Sequence, residues 1–229
     1  MPLSRIAFGV SVSPLGFGFQ TATNLNSHLN VRGTGNFLNY NISNINTNGF
    51  TVSPKVNFAS AGASLDIYPF HSGFRLSPGV LFYNQNQATA HFVAAAGTSF
   101  TLDKHTYYSA AGTNAVQGNG TFGLGNGSSA FTMTTGWGNM MPDRGGHWSF
   151  PFELGVAFIK DPTVALTLKG EVCDGNGKNC QNVATNAQAQ ADLATQVRSY
   201  AKDIQPLKTF PIVSFGVAYS FRFRQPSVR

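Results

Sequence analysis

The chain has 229 residues, of which only 10% are charged, against roughly 25% in a typical soluble domain. Its mean hydropathy of -0.07 and the lack of any apolar run near 18 residues exclude a membrane-spanning helix. The net charge of +6 comes from lysines and arginines scattered singly along the chain. Nucleic-acid binding is therefore not expected, because it needs a clustered basic patch.

The sequence predicts a series of extended segments in which apolar and polar residues alternate. Residues 5–12 and 74–82 alternate in this way, and residues 50–68 do so with one irregularity that predicts a bulge. Residues 148–158 are the clearest case, because their apolar face spans about the 9 to 11 residues that a tilted strand needs to cross a bilayer. Strands of a membrane barrel face lipid and lumen in turn, which explains a mean hydropathy near zero.

Three polar stretches are predicted to be long loops on the outer side: residues 41–49, 85–116 and 172–206. The second is expected to contain a small hairpin at residues 100–108. The third is expected to contain a short amphipathic helix, because apolar side chains recur there at helical spacing. They are Leu193, Val197, Tyr200 and Ile204.

The two cysteines, Cys173 and Cys180, lie seven positions apart in the glycine- and asparagine-rich loop CDGNGKNC. That spacing fits a disulfide across a loop better than any common zinc motif. A disulfide implies an oxidising compartment. No signal peptide precedes Arg5, where the first strand begins, so we expect the chain to be a mature region.

The stretch SFGVAYSFRF at residues 214–223 is predicted to be the last strand. Its apolar residues fall on one face that ends in aromatics, as a membrane-interface girdle would. It also resembles the C-terminal assembly signal of bacterial outer-membrane barrels, in which a polar residue, a glycine and two aromatics stand near the chain end. The residues in those places are Ser214, Gly216, Tyr219 and Phe221, and residues 224–229 follow as an extra tail.

Together these segments predict an all-β fold in one domain, residues 1–229: a closed antiparallel up-and-down transmembrane β-barrel with a short helix in the last long loop. We count about ten strands, with eight or twelve possible. A lone Arg or Lys facing lipid costs about 2 to 4 kcal/mol at the bilayer midplane. Five charged residues are therefore expected to point into the lumen and pair there: Arg32, Asp66, Arg75, Glu153 and Arg222.

Several segments together resemble a family of bacterial outer-membrane β-barrel proteins of unassigned function. They are LGFG at residues 15–18, SLDIYPF at 64–70, GFRLSPGVLFYN at 73–84, GWGNMMP at 136–142, HWSFPFELGVAF at 147–158 and TFPIVSFGVAYSF at 209–221. The resemblance implies a bacterial outer-membrane location, contact with outer-membrane lipid and lipopolysaccharide, and insertion by barrel-assembly machinery. It implies little about activity and nothing about oligomeric state.

Three stretches carry residue types that could support chemistry. Residues 118–123 read G-x-G-x-x-G, but glycines and serines follow instead of a helix, so nucleotide binding is not expected. His147 and Ser149, with Glu153 on the same strand face, resemble the His-x-Ser of outer-membrane lipid A deacylases. Residues 103–105, Asp-Lys-His, resemble elements of omptin proteases, although no acidic pair elsewhere completes such a site.

The sequence favours a non-enzymatic outer-membrane barrel, porin-like or structural, without a cofactor or metal. A lipid A deacylase-like hydrolase is one alternative, and it needs Ser149 and His147 within hydrogen-bonding reach. A secreted β-sandwich adhesin is another, and it needs the Trp148 face buried against a second sheet. Ten strands could leave a thin water path, whereas eight leave an interior just wide enough for side chains.

Overall fold

The computed structural model describes residues 3–70, 73–142, 146–175 and 177–223. In this part of the chain the fold is all-β apart from one α-helix and two short 3-10 helices, Gly112–Asn114 and Gln205–Lys208. The elements in chain order are β1 (Arg5–Ser13), β2 (Gly16–Asn24), β3 (Leu29–Asn41), β4 (Ile45–Thr47), β5 (Phe50–Ile67), β6 (Phe74–Asn84), β7 (Gln87–Ala94), β8 (Ser99–Leu102), β9 (His105–Ser109), β10 (Gln117–Gly123), β11 (Ala130–Trp137), β12 (Trp148–Ser149), β13 (Phe152–Phe158), β14 (Thr163–Lys169), β15 (Glu171–Cys173), β16 (Gln181–Asn182), α1 (Ala187–Asp203) and β17 (Thr209–Arg222).

Eight strands close into an antiparallel barrel. Their order around the wall is β5, β3, β2, β1, β17, β13, β11 and β6, and pairing of β6 with β5 completes the circle. The short strand β12 pairs with β17 in the same register as β13, so residues 148–158 form one stretch interrupted around Pro151. The predicted closed barrel is confirmed, but the count of about ten strands is wrong, because the wall has eight.

The additional strands continue three wall strands beyond the rim of the barrel. β7 follows β6, β10 precedes β11 and β14 follows β13, and the three pair side by side next to β5. β5 has 18 residues, so its first half pairs with β7 and its second half with β6. Alternation in a sequence does not distinguish a new wall strand from the continuation of an old one, which is why the predicted count includes β10 and β14. β7 lies within the predicted loop at residues 85–116.

The outer surface of the barrel is apolar. On β1, Phe8, Val10 and Val12 are each more than half exposed, while Ala7 is fully buried and Ser11 nearly so. The same alternation places Trp148 and Phe221 outward, with 63% and 48% exposure. No second sheet covers this face in the described residues, so the β-sandwich alternative is wrong.

Exposed aromatic side chains gather near both ends of the barrel wall. The termini-end aromatic ring, at the end where β1 begins and β17 ends, consists of Phe70, Trp137, Trp148, Phe150 and Phe221. The loop-end aromatic ring, at the opposite end, consists of Phe17, Phe37, Phe82, Phe131 and Phe158. Trp148 and Phe158 lie ten positions apart in one register, which is about 25 Å for a tilted strand and matches the apolar band of a membrane barrel.

Residues 138–142, which follow β11, close the termini end of the lumen. Met140 and Met141 are each 1% exposed and pack against three inward-facing alanines of the wall, Ala7, Ala22 and Ala218. The sequence predicts a simple loop at residues 141–146 and does not reveal that Met140 and Met141 are buried.

The three predicted outer loops all lie at the loop end and contain more structure than expected. The hairpin predicted at residues 100–108 is β8 and β9, which join β15 and β16 in a separate four-stranded sheet. The predicted helix is α1, capped by Asn186, whose side chain accepts a hydrogen bond from the Ala189 amide. Among the described residues, no helix has the length and apolar character needed to cross a membrane.

Helix α1, the β8–β9 hairpin and the strands β7, β10 and β14 share a hydrophobic core. It includes Leu102, Val116, Leu168, Val183 and Leu193. Alternation within residues 163–171 predicts that Val164, Leu166 and Leu168 face outward. This is wrong for Leu166 and Leu168, because Leu168 belongs to this core and Leu166 packs against it. The loop end is thus a small folded body built on the rim of the barrel.

Candidate functional site in the barrel lumen

Four charged side chains meet in the lumen of the barrel. Arg32 donates to Asp66 from Nε at 3.0 Å and from Nη2 at 3.0 Å, and its Nη1 donates to Glu153 Oε2 at 2.8 Å. Arg75 Nη2 donates to the same Glu153 oxygen at 2.9 Å. The Thr134 hydroxyl donates to the other Glu153 oxygen, Oε1, at 2.6 Å.

The register of three neighbouring strands explains how Arg75 reaches Glu153. Gly136 of β11 lies opposite Arg75 on one side and opposite Glu153 on the other. A Cβ at Gly136 would lie 2.2 Å from the Phe152 carbonyl oxygen, so only glycine fits there. Since Gly136 has no side chain, Arg75 and Glu153 can meet above it.

The ionic group is neutral as a whole and almost fully buried. Its side chains are 1% to 10% exposed, and two guanidinium groups balance two carboxylates. Buried ions lose their hydration, so each one is stable in the lumen only while its partners remain in place. A cavity of about 60 Å³ lies beside the group, which is room for about two water molecules.

The ionic group is tied to the segment that closes the termini end. Arg75 Nη1 donates to the Gly138 carbonyl. Asn139 Oδ1 accepts from the Met141 amide at 2.9 Å and from Asn30 Nδ2 at 3.1 Å. The lumen is therefore filled by two successive layers, one ionic and one of methionine side chains. Two adjacent methionines in a polar loop were the sequence signal for the second layer.

Four of the five predicted lumen charges, Arg32, Asp66, Arg75 and Glu153, are brought together by the structure. Arg222 is not part of this group. It shares the inward-facing parity of Ser214 and Ser220, but it is the last residue of β17 and is exposed at the rim of the termini end. The strand alternation does not reveal that the wall ends at this residue.

The residues of the predicted assembly signal lie along β17, next to β1, where the two ends of the chain close the barrel. Tyr219 is opposite Phe8, and Phe221 is opposite Ile6. Gly216 is opposite Ser11, and Ser214 is buried and opposite Glu153. The tail at residues 224–229 lies outside the described residues. The predicted disulfide, Cys173–Cys180, is present in the loop-end body.

The arrangement needed for a Ser/His/acid hydrolase is not formed. His147 Nδ1 donates to the Ser220 carbonyl at 2.8 Å, and its ring stacks on the outward-facing Tyr219 at 5.2 Å. Ser149 is buried, and its hydroxyl has no hydrogen-bond partner among the described residues. Glu153 is bound by two arginines, so it orients no histidine. The expectation that His147 and Ser149 share a face is wrong, because the chain turns just before β12.

A second polar cluster joins α1 to the β8–β9 hairpin. Asp192 accepts hydrogen bonds from Tyr107, from His105 Nδ1 at 2.8 Å and from Gln188 Nε2 at 2.9 Å. The Tyr107 hydroxyl, which donates to the carboxylate, lowers the pKa of Asp192, and burial next to Asp192 raises the pKa of Tyr107. His105 of the Asp-Lys-His stretch thus binds a helix residue that the sequence analysis did not single out.

The remaining motif, G-x-G-x-x-G at residues 118–123, lies within β10 and has no helix after it. It pairs with β7 and β14 on both sides. The strand-to-helix turn of a nucleotide-binding loop is therefore not formed at these residues.

No protein-family model and no curated protein matches the chain. Among solved structures, Acinetobacter baumannii CarO matches with a TM-score of 0.58 at 19% identity, covering 96% of this chain and 98% of that chain. Acinetobacter baumannii CarO2 matches with a TM-score of 0.62 at 18% identity, covering 96% and 100%. A major outer membrane protein from Thermus thermophilus is more distant, with a TM-score of 0.39 at 11% identity and coverage of 95% and 99%. The two CarO structures show that this chain is similar in fold to CarO over 96% of its length.

Proposed function

We propose that the protein is a non-enzymatic barrel of the bacterial outer membrane that does not conduct solutes. Its role is to hold the loop-end body at the membrane surface. The observation that carries the proposal is the filled lumen, in which Arg32, Asp66, Arg75 and Glu153 form one layer and Met140 and Met141 form the next. A solute would have to displace both layers.

The outer-membrane location is supported by the apolar wall between the two aromatic rings and by the fold shared with CarO. The Cys173–Cys180 disulfide also fits an oxidising compartment outside the cytoplasm. Outer-membrane lipid surrounds the wall in this proposal, and barrel-assembly machinery reads Ser214, Gly216, Tyr219 and Phe221 on the last strand.

Planar-bilayer recording on refolded protein tests the closed lumen. We expect no stepwise current from wild-type protein under conditions in which an open general porin conducts. Replacing both methionines, Met140→Gly with Met141→Gly, should still give no steps, because the ionic layer remains. Stepwise ohmic current from wild-type protein would overturn the proposal in favour of a porin-like function.

The hydrolase alternative is tested separately. The variant Ser149→Ala is expressed in an outer-membrane background, and lipid A acylation is compared with that of cells making wild-type protein. We expect identical lipid A profiles. A wild-type-dependent loss of an acyl chain that the variant abolishes would establish the hydrolase.

A further inference from the structure

The outer surface of the wall changes from apolar to polar just beyond the loop-end aromatic ring. Four strands present one row of polar side chains there, and a second row follows. The first row is Asn41, Lys55, Thr89 and Thr121, which are neighbours in register on β3, β5, β7 and β10, and the second is Ser53, His91 and Asn119. We call these seven residues the polar panel. They lie on the outward face, because Lys55 and Ser53 have the parity of Ala59, which pairs with the exposed Phe37. The other five residues pair with these two directly or through β7.

The polar panel borders a groove. The cavity has a volume of about 420 Å³, and all seven panel residues line it together with Ser43, Ala90 and Gly120. The loop from β3 to β4 forms one side, where the Asn44 amide donates to Ser53 Oγ at 3.2 Å. A groove of this size accommodates a sugar-sized group, since small-molecule sites start at about 300 Å³.

The panel offers the hydrogen-bonding groups that a phosphorylated sugar needs. His91 Nδ1 donates to Asn119 Oδ1 at 3.1 Å, so Nε2 is left to form a hydrogen bond with a sugar hydroxyl. Thr89 and Thr121 add hydroxyls. Lys55 is exposed and makes no ion pair among the described residues, so its ammonium group is available to a phosphate.

The height of the polar panel on the barrel wall indicates which molecule supplies the phosphorylated sugar. Phe37 of the loop-end aromatic ring pairs with Ala59 of β5. Lys55 lies four residues before Ala59 on the same strand, beyond the rim of the barrel wall. Four residues of a tilted strand rise about 10 Å, which places Lys55 just beyond the hydrocarbon, at the depth of lipid headgroups. In the outer leaflet of an outer membrane, the headgroups are the phosphorylated sugars of lipopolysaccharide.

We infer that the polar panel binds the phosphorylated saccharide headgroup of lipopolysaccharide, with Lys55 on a phosphate and with His91, Asn119, Thr89 and Thr121 on sugar hydroxyls. The inference rests on the proposed outer-membrane location. It goes beyond general lipid contact, because it assigns one side of the wall to one class of lipid.

The test measures binding of purified lipopolysaccharide without O-antigen to the full chain refolded in detergent micelles, by native mass spectrometry. Lys55→Gln should weaken binding about fivefold to tenfold, the loss expected for one charge-assisted hydrogen bond. Lys104→Gln is the matched control, because Lys104 is an exposed lysine on the β8–β9 turn, away from the panel. Dephosphorylated lipopolysaccharide should bind wild-type protein as weakly as the intact lipid binds Lys55→Gln.

Three results would overturn the inference: equal affinities for Lys55→Gln and Lys104→Gln, no effect of dephosphorylation, or phosphatidylglycerol binding at the panel as tightly as lipopolysaccharide. His91→Ala is a second test variant in case Lys55→Gln folds poorly, and it should also weaken the binding of lipopolysaccharide. Conductance of the same preparations separates the two proposals. A silent barrel with no panel effect refutes only this inference, whereas a conducting barrel with a panel effect refutes only the closed lumen.

Discussion

Arg32 Nη1 lies 2.8 Å from Glu153 Oε2, although 121 positions separate the two residues in the chain. The contact crosses the lumen from β3 to β13, which are not neighbours in the wall. Glu153 also binds Arg75, so one carboxylate holds two arginines at the centre of the barrel. This makes Glu153 the residue on which the closure of the lumen depends most.

Glu153→Gln should destabilise the protein by about 3 to 5 kcal/mol, because it leaves two buried guanidinium groups short of a carboxylate. Urea titration of protein refolded in lipid vesicles measures the free energy of unfolding. Asp161→Asn is the control, since the Asp161–Lys208 pair is largely exposed and should contribute less than about 1 kcal/mol. Equal effects of the two substitutions would show that the ionic group does not stabilise the fold.

Val10→Arg should cost about 2 to 4 kcal/mol in lipid vesicles, because Val10 is 55% exposed in the middle of β1, where the outer face meets hydrocarbon. Ser99→Arg, on the exposed β8–β9 hairpin, should cost less than about 0.5 kcal/mol. The same urea titration measures both. A small effect at Val10 would mean that this part of the wall does not face lipid.

Acid should detach α1 from the β8–β9 hairpin. The pKa of Asp192 is lower in the folded protein than its ordinary value of about 4, so its contribution to stability is complete above that value and is lost as the pH falls through the folded pKa. Pepsin cleavage within residues 187–203 should therefore accelerate several-fold between about pH 4 and about pH 2, beyond the change in cleavage of an unstructured peptide.

Asp192→Asn is the companion variant for that experiment. It removes the charge without changing the size of the side chain, so cleavage of α1 should already be fast at pH 4 and change little on further acidification. If the wild-type protein and Asp192→Asn respond alike to acid, another group controls the attachment of the helix.

Removing the disulfide should affect the loop-end body and not the barrel. The chain-entropy model gives roughly 2 to 3 kcal/mol for a loop this short, and Cys173 lies in β15, which belongs to the separate four-stranded sheet. Cys173→Ser with Cys180→Ser should increase proteolysis around residues 171–182. The heat-dependent gel shift of the folded barrel should not change, and a lost shift would contradict this division.

Phe221→Ala should lower the amount of protein inserted by barrel-assembly machinery several-fold in cells, if Phe221 belongs to the assembly signal. Phe215→Ala is the matched control, since Phe215 is also an exposed aromatic on the outer face of β17 but lies outside the signal pattern. Heat-modifiable protein in outer-membrane fractions is the measurement. Equal losses from both variants would assign the effect to the lipid-facing surface.

The sequence by itself determined the features that depend on alternation and local spacing. The membrane-facing side of residues 148–158, the inward direction of Arg32, Asp66, Arg75 and Glu153, the helix and the Cys173–Cys180 disulfide all follow from side-chain period or short-range spacing. These are local properties, since the direction of a side chain is set by its own strand or helix.

Only the tertiary structure decided which strands pair and what meets across the lumen. β10 and β14 alternate like wall strands, but β14 pairs with β10, β10 with β7 and β7 with the long β5, so they lie above the rim and eight strands remain in the wall. The Arg75–Glu153 contact needs Gly136 between them, and the methionine layer needs a loop that folds inward. Each of these features depends on residues that are far apart in the chain. Strand register and barrel closure bring such residues together, and neither produces a periodic pattern in the sequence.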